Sequence, residues 1–327
     1  MQENQIPYGQ PFPQQGPYPP PPQRTPWFLP TPHGTRYDHL ARNGAREIWR
    51  PIVGTVMVAL AFVLVGVVVV VAGVVVSAAL GMPAPPDRPE QLSGDPLLGL
   101  VFLLLSIALV LPLVFGTAAL IQRRRPGTLS SVAGRLRWPW LLQCVGVAVV
   151  AVVLGQLVQV LTFTLTGRGD EAAFSWAGWS GFLPALVIIV LLVPFQAATE
   201  EYLFRGWLVQ AVGSRLNSPW WAIVIGSLIF VSLHGYTGAG MLDVFSFGVV
   251  TGFLAVRTGG LEAPIALHVI NNMAAFGLSA AAGELEKAME QGEVPWQSLS
   301  GTVVQLSVFT LGVLFLSRKR SISAFSG

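Results

Sequence analysis

Beyond Pro51 the chain is divided into eight apolar stretches, approximately 52–80, 96–121, 139–164, 182–210, 219–235, 241–257, 262–282 and 299–317. At about 1.5 Å of rise per residue, each crosses a hydrocarbon core of about 30 Å or most of it. No water is available at that depth to satisfy backbone N–H and C=O groups, so runs of this kind must be helical. The fifth and sixth are short, and the sixth carries several glycines. The pattern predicts an all-α polytopic membrane protein of about eight transmembrane helices. Only 11% of the residues are charged, against roughly 25% in soluble domains, which agrees with that class.

The first fifty residues are of another kind. Residues 1 to about 46 are rich in Pro, Gln, Gly and Tyr without hydrophobic periodicity, a composition expected to stay disordered or partly polyproline-like. Because the start is polar and proline-rich, nothing in it resembles a cleavable signal peptide. The expected organisation is a disordered tail over 1–50 and a transmembrane domain over 51–320. Within the latter, accessory helices occupy about 52–165, a core about 180–282, and a last span about 299–317. The single cysteine, Cys144, sits in an apolar segment and reads as a buried small hydrophobe.

Charge placement sets the orientation. Arg24, Arg36, Arg42, Arg46 and Arg50 precede the first span, and Arg123, Arg124, Arg125, Arg135 and Arg137 lie between the second and third. Arg215, Arg257, Arg318, Lys319 and Arg320 fall at later alternate loops, leaving Arg88, Arg168 and Lys287 on the opposite side, among many carboxylates. By the positive-inside rule both termini are cytoplasmic, which requires an even number of crossings of the cell (plasma) membrane. The pI near 9.3 is therefore topology, with anionic lipid as a natural contact, and no nucleic-acid footprint.

One span breaks the apolar pattern. Glu200, Glu201 and Arg205 crowd into six positions of the fourth stretch. An ionisable residue at bilayer depth costs roughly 2.5–3.5 kcal/mol on insertion scales and marks function by default. Glu201 and Arg205 are four apart and share a helix face in the favourable order. Two further spans supply Phe230-x3-His234 and His268-x3-Asn272, each pair again on one face. Phe230 is placed to wall the imidazole of His234 from lipid. Glu200 and His234 lie equally far from the turn at Asn217-Ser218-Pro219, about 25 Å of helix, whereas His268 lies only about 13 Å from the Gly259-Gly260 break. His268 joins the others only if the fourth and fifth helices protrude further at the cytoplasmic end.

Two chemistries fit this set. In one, Glu201 is neutralised by Arg205, Glu200 takes a proton from water, a histidine orients that water or protonates the leaving amine, and a second histidine with an amide stabilises the oxyanion. In the other, Glu200, His234 and His268 hold a catalytic divalent metal such as zinc with an open fourth position. The residues alone do not choose between them. A proton-coupled transporter would also place Glu and His across spans, but the two halves show no inverted repeat. A non-catalytic immunity or scaffold protein is the other class that could retain such residues.

At these positions the chain resembles the CPBP family of intramembrane metalloproteases, also called the Abi or type II CAAX prenyl endopeptidase family. The matching text is EEYLFRGWL at 200–208, FVSLH at 230–234 and HVINN at 268–272, the last closing the glycine-rich run 248–272. The resemblance covers about 180–280. It implies a polytopic helical fold whose cavity opens to the cytoplasmic side, and a hydrolase cutting peptide bonds of a membrane-associated protein or peptide. Carried over by position, Glu200 is the general base and Glu201 and Arg205 support it. His234 orients the water, and His268 with Asn272 stabilises the oxyanion. Eukaryotic members of the family trim prenylated CAAX proteins. Bacterial members, which this chain looks like, are linked to bacteriocin maturation, self-immunity and other membrane-protein processing.

Overall fold

Seven helices are long and apolar enough to span a membrane in the computed structural model, which describes residues 26–43, 47–82, 93–172 and 174–327. They are α1 (Trp49–Ala79), the pair α2 (Pro96–Ala108) and α3 (Leu111–Leu120), α4 (Trp138–Leu165), the rod of α5 (Trp179–Glu201) with α6 (Val209–Gly213), α8 (Ala239–Thr258), α9 (Glu262–Ala282) and α11 (Ser298–Lys319). The eighth expected crossing is α7 (Pro219–Ser232), whose 14 residues make a shorter apolar helix. It covers about 21 Å, less than a full hydrocarbon core. Pro219 starts it at the position where a missing N–H costs nothing. The short α10 (Leu285–Met289) and a two-residue parallel pairing of β1 (Thr237–Gly238) with β2 (Glu293–Val294) tie the loops at one end of the bundle.

The second span is broken rather than continuous. Pro112 sits in the first turn of α3, and a proline clashes with the carbonyl four residues earlier, which is Ala108, the last residue of α2. The displaced Ala108 carbonyl lies 3.4 Å from the Thr199 hydroxyl of α5.

Every basic loop gathers at one end. Arg50 donates to the Ile121 carbonyl (2.7 Å), and Arg36 to that of Asn217 (2.9 Å). Val132 N–H bonds Gly259 (2.9 Å), and Gly34 N–H bonds Ser326 (2.7 Å). Arg137 grips Glu262 through two nitrogens, at 2.8 and 2.7 Å. The residues flanking the spans at both ends of the chain thus meet. Exposed tryptophans mark the two membrane surfaces: Trp49, Trp138, Trp220 and Trp221 at the helix starts of the basic end, Trp176, Trp179 and Trp296 at the other. The protein is a multi-pass membrane protein.

The tail expectation needs correction. Residues 1–25 lie outside the described residues, but from residue 26 to 43 the chain is a strap laid across the basic end. Tyr37 and Leu40 are fully buried, and the Tyr37 hydroxyl donates to the Leu129 carbonyl at 2.6 Å. Arg36 chelates the buried carboxylate of Asp38 (2.5 and 2.8 Å), and Trp27 donates to Ala119 (3.1 Å). Averaging composition over the proline-rich stretch hid these apolar anchors. Cys144 is buried, as expected.

Candidate active site

The rod that carries the carboxylates is irregular where they lie. Pro194 interrupts α5, and from Tyr202 to Leu208 the backbone widens into π-helical geometry before resuming as α6. A π turn inside an α-helix is rare and frequent at functional sites. Glu200 and Glu201 are the last α-helical residues before the wide turn, and Arg205 lies within it.

These residues meet α9. Glu201 Oε1 accepts a hydrogen bond from Arg205 Nη1 at 3.0 Å. The same oxygen lies 2.7 Å from His268 Nδ1, an ideal length for a charge-assisted bond when the proton is on that nitrogen. The other ring nitrogen, Nε2, faces Glu200 Oε2 at 3.3 Å. One imidazole therefore bridges both glutamates. Their surroundings differ: the Glu201 side chain is fully buried, whereas that of Glu200 is 11% exposed. Glu200 is the more exposed carboxylate of the two.

Aromatic rings enclose the charges. The Arg205 guanidinium lies 4.3 Å over the Phe230 ring, with Phe247 at 5.9 Å. Phe247 meets the His268 ring edge-on at 5.1 Å, and Phe204 meets Phe230 at 4.9 Å. Such walls strengthen the ion pair by excluding water and contribute cation–π attraction. Glu201 Oε2 and Arg205 Nη2 are buried with no hydrogen-bond partner among the described residues, leaving polar capacity at the heart of the cluster.

The expected set divides in two. Glu200, Glu201, Arg205, His268 and Phe230 converge. Asn272, one turn beyond His268, donates to Gln196 at 3.2 Å, one turn before Glu200. His234 stands past the end of α7, its Nδ1 2.8 Å from the carbonyl of Phe230, and meets the cluster at the Phe230 ring, 4.5 Å between centroids. It stacks on Tyr236 instead (6.3 Å between centroids). The three donors named for a metal do not close into a set: among the described residues no group of three His, Cys, Asp or Glu could hold an ion. Both nitrogens of His268 are already turned to carboxylates.

The sequence reading missed three polar neighbours. Gln196 holds Asn272, Gln305 of α11 donates to Asn271 at 2.9 Å, and Asp243 of α8 accepts from Thr302 at 2.9 Å. Gln196 was detectable, since Gln196-x3-Glu200 repeats the four-residue spacing of Glu201-x3-Arg205 on an otherwise apolar rod.

The stretch that builds this geometry has relatives. Residues 179–274 match the Rce1-like family, type II CAAX prenyl endopeptidases. This Rce1-like segment opens with α5 and closes within α9, so it contains both glutamates, both membrane histidines and Asn272. An uncharacterized protein of Bacillus subtilis (strain 168), YyaK, is 26% identical over 196 residues, 57% of this chain and 63% of that protein. An uncharacterized 24.3 kDa protein of Escherichia coli is 38% identical over 88 residues, 25% of this chain and 41% of its own length. The chain thus spans less than two thirds of the length of either relative. No solved structure matches.

Proposed function

We propose that the protein is an intramembrane endopeptidase that hydrolyses a peptide bond of a membrane-associated protein or peptide with water activated by Glu200. The observation that carries this reading is the bridging imidazole. His268 is held by a buried, arginine-paired Glu201 and presents its second nitrogen to the one accessible carboxylate. The Rce1-like match over the same residues supports it at the level of the family.

In this reading Glu200 accepts one proton as the water oxygen attacks the scissile carbonyl carbon. His268, steadied by Glu201 and Arg205, keeps Glu200 oriented and offers a proton toward the developing oxyanion. The amide of Asn272, on the same face of α9, is the second donor. Collapse of the tetrahedral intermediate breaks the C–N bond, and the proton held by Glu200 passes to the leaving amine. His234 is a positioning residue at the mouth of the cluster, next to Tyr236. In this reading no step is routed through a metal. The arginine asymmetry supports a cytoplasmic basic end, and the bacterial sources of the two relatives support a bacterial plasma membrane.

The test is Glu200→Gln in a strain that makes the full chain, followed by comparative membrane proteomics. An uncut precursor should accumulate, with turnover of an identified substrate falling about 10²–10⁴-fold, the usual worth of a general base. Full cleavage by this variant would end the proposal.

A further inference from the structure

A second feature at the basic end lies outside the acid–imidazole cluster and is independent of the hydrolytic reading. It is a cavity of about 390 Å³ where three stretches of chain meet: the strap at Arg42, the start of α1 at Arg50, and the turn after α6 at Arg215 and Asn217. Its volume lies in the range of small-ligand sites. Three guanidiniums line it, and none of its described lining residues is a carboxylate.

Arg42 is held in place by backbone carbonyls, which do not cancel its charge. Arg42 donates through Nε to the Gly213 carbonyl (3.0 Å) and through Nη2 to that of Leu216 (2.7 Å). Arg50 Nη1 bonds the Ile121 carbonyl at 2.7 Å, while its Nε and Nη2 pair with the two oxygens of Glu47 at 2.9 and 3.2 Å. Directly behind the lining, Gln122 Oε1 accepts from Arg124 Nε at 2.6 Å. Arg124 is fully buried, its other hydrogen-bond partners are Thr128 and Gln210, and burial pushes its pKa down to about 10. Guanidiniums gathered around one hollow repel one another, and an anion in the hollow relieves that repulsion.

The level of the cavity narrows the ligand. Trp49 precedes Arg50, and Trp220 and Trp221 follow the turn that carries Arg215; all three are exposed at the start of their helices. That tryptophan level is where lipid headgroups lie. Guanidinium forks suit phosphate oxygens geometrically. We propose that this cavity binds a phosphate group, either in the headgroup of an anionic phospholipid or as a soluble phosphate ester. A bound phosphate joins the strap to α1 and to α6, and so stiffens the rod that carries Arg205 and Glu201.

The test uses the full chain, delipidated in a neutral detergent, with unfolding followed by a thiol-reactive dye at Cys144, the one cysteine, which is buried. Dioleoyl phosphatidylglycerol, dioleoyl phosphatidylcholine and glycerol 3-phosphate are titrated separately. Phosphatidylglycerol should raise the unfolding temperature, and phosphatidylcholine should not. Arg215→Gln should raise the half-saturating concentration about tenfold, the equivalent of about 1.4 kcal/mol for one lost charge-assisted contact. Arg215→Lys should retain most of the binding. Arg257→Gln, exposed at the end of α8 and not part of the lining, should match wild type. An Arg215-dependent response to glycerol 3-phosphate alone supports a soluble ester as ligand, and a response to lipid only supports a headgroup. Equal responses of wild type and Arg215→Gln, or equal effects of the two lipids, overturn the proposal; unliganded unfolding temperatures of each variant separate lost binding from lost folding.

Discussion

Removing either member of the Glu201–Arg205 pair should be far more harmful to stability than removing both. The side chains are 0% and 3% exposed, and their charged atoms are 3.0 Å apart. With an effective dielectric constant near 20, two charges at that separation attract by about 5 kcal/mol. Arg205→Met strands the Glu201 carboxylate among phenyl rings, and Glu201→Leu strands the guanidinium; each should cost about 3–5 kcal/mol. The double variant buries no stranded charge from the pair. What it still loses is the bond from Glu201 to His268 Nδ1, about 1.5–3 kcal/mol for a hydrogen bond to a charged group. Its loss should therefore be well below the sum of the single losses, with a coupling of about 3 kcal/mol or more. Equilibrium unfolding in mixed micelles of increasing SDS content, read by tryptophan fluorescence and by Cys144 reactivity, measures all four corners of the cycle. Hydrolysis should be lost in all three variants, because His268 has no anchor in any that lacks the ionised Glu201 or its arginine. Additive losses, agreeing within about 0.5 kcal/mol, would refute the buried-pair reasoning. Turnover returning along with stability in the double variant would refute the anchoring of His268.

The strap offers two further checks. A Cβ on Gly213 would overlap the backbone carbonyl of Asp38, so Gly213→Ala should loosen the strap by about 1–3 kcal/mol, seen as faster tryptic cutting after Arg36 and Arg42. Gly146→Ala, where a Cβ meets nothing, should leave that cutting unchanged. His39 packs against the Leu216 carbonyl, and burial is the main cause that pushes its pKa below the ordinary 6.5. An undocked His39 takes up a proton that the docked ring resists, so docking is at full strength above pH 6.5 and weakens as pH falls below it. Hydrogen exchange in residues 36–43, corrected for its intrinsic pH dependence, should rise on acidification in wild type and not in His39→Gln.

Much of the fold was legible because the bilayer leaves so few options. An apolar run such as Trp138–Leu165 or Ser298–Lys319 must be helical, and its ends agree with the expected stretches within a residue or two. The alternation of arginine-rich and acidic loops likewise foretold which loops would meet. Local features of the backbone were less legible. The break before α3 depends on one proline acting on Ala108, inside a stretch whose hydropathy is unbroken. The strap depends on Tyr37 and Leu40 finding a shelf on α6 and on the loop at Leu129, partners far away in sequence. Composition, summed over fifty residues, cannot register two anchors.

The meeting of Glu201 with His268 shows why depth counting alone placed them apart. Measured from their own turns, the two differ by roughly eight residues, or about 12 Å of helix. The structure absorbs that difference in the way the rod packs against the start of α9. Gly206 packs against Leu261 and the Leu129 carbonyl, setting the rod's level beside the start of α9. Five residues back from Gly206 is Glu201, and seven on from Leu261 is His268, so the two arrive at one height. Val209 still packs in one cluster with Ile223 of α7 and Val256 of α8, and past the end of α6 a bare helix end would leave carbonyls unpaired. The strap supplies the missing partners: Arg42 takes the carbonyls of Gly213 and Leu216, and Arg36 takes that of Asn217. The tail segment expected to stay disordered thus caps the end of the rod that carries Glu201.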